Sequence, residues 1–370
     1  MTCRITLNLP CEISEAYFMG FNPDKQYTMT QKLKVFLLIS ILIVLMTHCE
    51  PPMVVTKWSG QTMGTFYHIS VYGPEMDEAR HLQIHDGIDS VLQSINQQMN
   101  PWDPESKISR FNRLKAGDTL DISPEFARVL DISGRIWESS DGAFDPTVGP
   151  LVDVWGFGAG SKEKKIPDPH EIKTCLEYTG FDLIGWEVTK LTKKDSRVRL
   201  DLAAVAKGFG VDAVSRYLKS RGFTNHLVEI GGEVFAMGKV KNRSWQLGID
   251  RPEDFALPGE SLSSVISISG QGVATSGDYR NFYIDKGRRI SHTINPKTGE
   301  PVTHNLASVT IIAPDCARAD AIATACIVMG NTAPEWLESL DSVEGYFIFR
   351  QDSVTIRETM TPGFADYLVK

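Results

Sequence analysis

Asp320 and Thr324 in RADAIATAC stand four residues apart, so on a helix both side chains project from one face. A carboxylate and a hydroxyl are hard oxygen donors. They suit Mg2+, which keeps water and substrate phosphates as its remaining ligands. The same pair also reads as a first-turn charge favoured by the helix dipole beside a core threonine. SHTINPKTGEPV (291–302) sets His292 just before a turn, in which Asn295-Pro296 presets the bend and Gly299 supplies a positive φ. Alone, this is a strand ending in a turn. At the mouth of a site, the turn would aim an imidazole that titrates near neutral pH.

LDLAAVAKGFGVDAV (200–214) carries Gly208-x-Gly210-x-x-Ala213, with Glu229 near the acidic position of a dinucleotide fingerprint. That fingerprint needs its first glycine in the turn directly after a strand. Here Ala203–Lys207 intervenes, and Val205, Phe209 and Ala213 keep helical spacing, so the glycines read as close-packing positions inside a helix. Asp201 at the strand end and Lys207 further along remain as polar ligand contacts. GAFDPTVGPL (142–151), EIGGEV (229–234) and ATSGDY (274–279) are turns whose backbone N–H groups could face an anion. Trp102 and Phe144 could stack on a flat ring, or serve as ordinary core aromatics. His68 and His304 read as structural. No G-x-S-x-G, HExxH or Walker A sequence occurs.

The elements that would position these residues alternate in type. Thr65–Tyr72 alternates as a strand, and a helix is expected over Asp89–Met99. Ser123-Pro124-Glu125 opens a second helix towards Glu138. Arg197–Leu202 reads as a short strand feeding a helix that runs to about Arg221. Strands dominate from Asn225, interrupted by a helix over Ala317–Met329, and two more strands are expected near 346–350 and 353–356. Antiparallel strand clusters with interspersed helices predict an α+β fold.

The chain of 370 residues has a net charge of −8 and no Lys/Arg block, which argues against nucleic-acid binding. Lys32 and Lys34 precede an apolar run over 35–46 that is too short to span a bilayer comfortably and suits an export signal. Cys49 follows, as the lipidated cysteine would in a bacterial lipoprotein signal. An uncleaved amphipathic or membrane anchor is the other reading. The expected organisation is an upstream extension over 1–28 with Met29 as a possible start, a signal over 29–49, and a folded domain over 50–370 outside the cytoplasm. Cys175, Cys316 and Cys326 are an odd set without CxxC spacing and read as buried thiols.

Eight stretches in order resemble the ApbE family of FAD:protein FMN transferases: MGTFYHISVYG (63–73), WDPESKISRFN (102–112), GAFDPTVGPLVDVWGFG (142–158), VRLDLAAVAKGFGVDAV (198–214), EIGGEV, GVATSGDY, SHTINPKTGEPV and SVTIIAPDCARADAIATACIVMG (308–330). The resemblance implies an ApbE-like (T-fold-like) mixed domain with antiparallel sheets and packed helices. It implies an enzyme that binds FAD with Mg2+ and transfers the FMN half to a threonine or serine hydroxyl of a partner flavoprotein, releasing AMP. The partner would carry a D-G-x-[S/T]-G-A-[S/T]-like motif and sit in a membrane electron-transport complex, and the enzyme would be lipid-anchored on the periplasmic side. The family's metal positions fall on Asp320, Thr324 and the backbone carbonyl of Ala204. Flavin and adenine contacts fall on Met63, Trp102, Ala143, Phe144, Asp145, Asp201, Lys207 and Ile294. Ala323 stands where some members carry an aspartate, Trp102 where others carry Tyr, and Lys207 where some are acidic.

A threonine hydroxyl is a poor nucleophile at its normal pKa, and His292 is the candidate base for it. Two other readings use the same residues. A periplasmic FAD pyrophosphatase would give FMN and AMP with water as acceptor. A flavin-binding lipoprotein would keep FAD intact and have no use for His292.

Overall fold

Period-two burial builds most of the structure. The strand expected from Thr65 runs to Pro74, with Tyr67, Ile69 and Val71 buried while Phe66 and His68 face outward. It pairs with an unanticipated strand, Met53–Thr62. The computed structural model describes residues 29–30, 36, 51–158, 164–253, 257, 259–279, 281–352 and 355–369. Cys49 and nearly all of the expected signal lie outside the described residues. Among the described residues no helix is long and apolar enough to cross a membrane.

Met53–Lys370 forms one unit around an eight-stranded sheet. Its strands are β1 (Met53–Thr62), β2 (Thr65–Pro74), β3 (His226–Ile230), β4 (Glu233–Met237), β5 (Gln271–Gly277), β6 (Leu306–Ala313), β7 (Glu344–Arg350) and β8 (Ile356–Met360). They lie side by side in chain order, and every neighbouring pair is antiparallel. The long connections carry helices α1 (Glu78–Met99), α2 (Pro124–Ser139), α3 (Ala203–Ser220) and α4 (Cys316–Met329). The fold is α+β, as the sequence predicts.

All eight residues of β6 are buried, because both faces of the sheet are covered. Val309 and Ile311 join the core formed with α2, α3 and α4, whereas Ile312 packs with Trp245, Ile249 and Ile266 of a small second sheet. That second sheet pairs Leu262–Ile268 with Arg243–Asp250.

Three expectations need correction. The last strand, expected near 353–356, is Ile356–Met360. The first helix starts at Glu78 rather than Asp89, because Asp77 caps it by accepting the Arg80 N–H at 2.7 Å. Arg197–Leu202 is not a strand. Its backbone partners are not another strand: the Asn112 side chain bonds both the N–H and the carbonyl of Leu200, and Asp201 N–H goes to the Pro146 carbonyl. Cys175, Cys316 and Cys326 are free and buried, as expected.

Gly208 and Gly210 lie inside α3. A Cβ on Gly208 would fall 2.3 Å from the Cys316 carbonyl oxygen at the start of α4, so the two helices touch through bare backbone. Asp212, one turn further, accepts the Cys316 and Ala317 N–H groups at 2.9 and 3.0 Å. It thereby satisfies two donors at the α4 N-terminus. Gly208→Ala should gain helix propensity yet lose more by wedging α3 from α4. A net loss of about 1–3 kcal/mol is expected in urea unfolding; an unchanged midpoint would show that the contact is slack.

Candidate active site

The helix crossing has a chemical consequence. Ala204, in the first turn of α3, has φ −88° and ψ 15°, which tilts its carbonyl out of the helical ladder. In a regular helix the Gly208 N–H would bond that carbonyl; here it donates to Asp320 Oδ2 at 3.1 Å. The α3–α4 contact thus brings the kinked first turn of α3 to Asp320, with Thr324 one turn along α4. All three line a cavity of about 810 Å3, within the roughly 300–1,000 Å3 usual for small-ligand sites.

Lys207 Nζ lies 2.9 Å from Glu233 Oε1 and 3.7 Å from Asp320 Oδ1. Burial acts to lower the ammonium's pKa, but the two carboxylates outweigh it and leave the pKa raised. Burial raises both acids, against the opposing pull of Lys207. With all three ionised, the cluster holds two negative charges against one positive. Glu233 Oε2 is buried with no hydrogen-bond partner. Surplus negative charge, an orphaned oxygen and hard donors fit a divalent cation bound with the cavity's ligand.

His292 lies on the cavity wall. Its Nδ1 is 3.0 Å from the Asn281 carbonyl, which can only accept, so Nδ1 carries the proton and Nε2 keeps its lone pair. Burial lowers its pKa, against the Asn281 carbonyl and Asp278, which raise it, and together with Lys207, which lowers it further. The imidazole is therefore neutral at pH 7. The turn after it forms as expected: Gly299 N–H bonds the Asn295 carbonyl at 2.8 Å, with φ 71° at Gly299. Trp155 Nε1 ties the Gly299 carbonyl down at 2.7 Å.

Ten of the twelve residues singled out from sequence line this cavity: Ala143, Phe144, Asp145, Asp201, Ala204, Lys207, His292, Ile294, Asp320 and Thr324. Met63 and Trp102 do not. Met63 is half-buried, at φ 49°, near Gly210 of α3, and Trp102 is 69% exposed. Asp145 is already engaged by its own loop, accepting Thr147 N–H and Oγ1–H, Phe181 N–H and Trp137 Nε1–H. Asp201, one residue before the Leu202 N-cap of α3, accepts Ala203 N–H at 2.9 Å. Glu229 shapes the Gly231-Gly232 turn by accepting Gly232 N–H at 2.7 Å. His304 is structural, with Nε2 against the Ile327 carbonyl.

Sequence reasoning missed Glu233 and Phe157. Glu233 read only as the end of a glycine turn, and its link to Lys207 exists because α3 packs on β4. Phe157, whose ring lies edge-on 6.3 Å from His292, sits in a loop with no periodicity to flag it.

The ApbE family pattern matches residues 63–347. The chain belongs to the ApbE family. The FAD:protein FMN transferase of Haemophilus influenzae is 36% identical over 312 residues, covering 82% of this chain and 89% of that protein. Its namesake from Vibrio cholerae is 33% identical, covering 89% and 97%. The apo crystal structure of the Pseudomonas stutzeri flavinyl transferase ApbE superposes with a TM-score of 0.76 at 30% identity, covering 85% and 97%.

Removing the ammonium from this ApbE cavity would leave Glu233 and Asp320 buried together without a counter-charge. Lys207→Met should lose about 3–5 kcal/mol of stability near pH 8 in chemical denaturation. Both acids have raised pKa values, so they take up protons first as pH falls, and the loss should shrink towards pH 5. A loss that does not change with pH would mean that the carboxylates do not depend on Lys207.

Proposed function

We propose that this chain is a Mg2+-dependent FAD:protein FMN transferase acting on a threonine or serine hydroxyl of a target flavoprotein. The relatives' shared activity and the family membership support flavin transfer from FAD to a protein. The carrying observation for the chemistry is the Ala204 carbonyl turned out of α3 beside Asp320 and Thr324, in one cavity with a neutral His292 whose Nε2 is unprotonated.

The acceptor hydroxyl oxygen would attack the FMN-side phosphorus of the FAD diphosphate while its proton passes to His292 Nε2. The bond from that phosphorus to the bridging oxygen breaks, and AMP leaves. Ala204 O, Asp320 and Thr324 would hold Mg2+, which neutralises charge on the diphosphate. Lys207 is placed to meet a phosphate oxygen. The wall over Phe144, Val148, Phe157 and Ile294 suits a flat ring. The leader pattern supports an exported, lipid-anchored enzyme whose target is a membrane flavoprotein.

Detergent-purified full chain, incubated with FAD, Mg2+ and a domain bearing D-G-x-T-G-A-T, should yield a covalent FMN adduct by mass spectrometry. His292→Ala should slow it by roughly 10²–10⁴, and Asp320→Ala should remove the response to Mg2+. The rate should hold from pH 8 to 7 and fall only well below pH 6.5 as the imidazole takes a proton, because its pKa lies under the ordinary value. Free FMN and AMP without adduct would instead identify a pyrophosphatase, and intact bound FAD a binding protein.

A further inference from the structure

His292 closes a small hairpin, Phe282–Asp285 paired with Arg288–Ser291, and the root of that hairpin is unusually well tied. Asp278 precedes it and is 8% exposed. Both its carboxylate oxygens meet Arg350 Nη1 of β7, at 2.7 and 2.9 Å. Its N–H donates to the Ala307 carbonyl, and its own carbonyl accepts Arg289 Nη2 at 3.0 Å. The Arg289 guanidinium lies 3.7 Å over the Phe282 ring, gripping the hairpin's first strand from its second. Three residues on, the Asn281 carbonyl takes both His292 hydrogens, from the backbone N at 3.2 Å and from Nδ1 at 3.0 Å. Gly277, Tyr279 and Asn281 line the cavity, and Asp278 is not part of that lining.

We propose that Asp278 is a positioning residue for the transfer: through Arg350 and Arg289 it pins the hairpin root, so that the Asn281 carbonyl aims His292 Nε2 into the cavity under a fixed negative charge. This rests on His292 as the base. Asp278 thereby joins two arginines from different elements, Arg350 of the main sheet through its carboxylate and Arg289 of the hairpin through its carbonyl. Among the described residues, the charged groups acting on the imidazole are Asp278, which raises its proton affinity, and Lys207 of α3, which lowers it. Lys164 faces the far ring of Phe157 and Tyr283 rather than His292.

The test is a 15N-histidine NMR titration of the full chain, with the His292 signal assigned by its loss in His292→Ala. Asp278→Asn removes the negative charge and keeps the shape, so the His292 pKa should fall by about half a pH unit or more, threefold in proton affinity. Arg350→Met leaves Asp278 less neutralised, so the His292 pKa should rise. Opposite signs are the signature, because loosening of the fold alone would move both variants the same way, towards the ordinary histidine value. Shifts of one sign, or none, overturn the proposal. The acid limb of the FMN-transfer rate should follow each shift. If His292→Ala transfers FMN at the wild-type rate, the base assignment fails, and the two NMR shifts still report on the clamp by themselves. Near-UV circular dichroism identifies a variant that has lost the fold, in which case Asp278→Glu, keeping the charge and displacing it, should lower transfer while the NMR pKa stays within the range of the wild type.

Discussion

Backbone contact between α3 and α4 is the constraint from which the site follows. Two helices can approach until a carbonyl oxygen sits where a side chain would begin only if one of them carries no side chain there, and Gly208 meets the Cys316 carbonyl in that way. At this distance the Gly208 N–H reaches across to Asp320 Oδ2. The Ala204 carbonyl is left turned outward by the kink in the first turn. Ala204 of one helix and Asp320 and Thr324 of the other then line the same cavity. Asp212 reinforces the arrangement from the other side by satisfying the first N–H groups of α4.

The charge balance at that crossing is deliberate in its incompleteness. Lys207 answers part of the negative charge of Glu233 and Asp320, and Glu233 Oε2 has no donor. A buried carboxylate oxygen without a partner is expensive in an apolar setting. The orphaned oxygen and the partly answered charge are what the proposed cation and diphosphate would complete. Across the cavity His292 is prepared differently. Burial keeps it neutral, and a carbonyl decides which nitrogen holds the proton. One wall gathers charged groups, and the other presents a neutral imidazole with a bare nitrogen, which is the division of labour that the proposed transfer calls for.

Legibility of the site in the sequence varied with how local each interaction is. Asp320 and Thr324 were readable because helical periodicity alone puts them on one face. The Asn295–Gly299 turn was readable because proline and glycine limit the backbone wherever they occur. Gly208 and Gly210 could be excluded from a phosphate-binding turn by spacing, and they do lie inside α3. The strand expected over Arg197–Leu202 failed because its hydrogen bonds go to the Asn112 side chain and to Pro146, remote partners that no local propensity encodes. The first helix runs further towards its N-terminus than expected because the Asp77 side chain caps it at Arg80 N–H.

By itself, then, the sequence determined the α+β class, the order of most elements, the family and ten of the residues that line the cavity. These depend on periodicity, turn chemistry and short motifs, all of which act within a few residues. Tertiary structure decided which of those residues are free to act. Asp145 is consumed by its own loop, Trp102 and Met63 stand off the cavity, and Glu233 and Phe157 join it. It also decided which nitrogen of His292 is bare and which carbonyl of α3 turns outward. Hydrogen-bond capacity is spent on whichever partner lies nearest in space, and for a meander interrupted by long helical insertions that partner is rarely nearest in sequence.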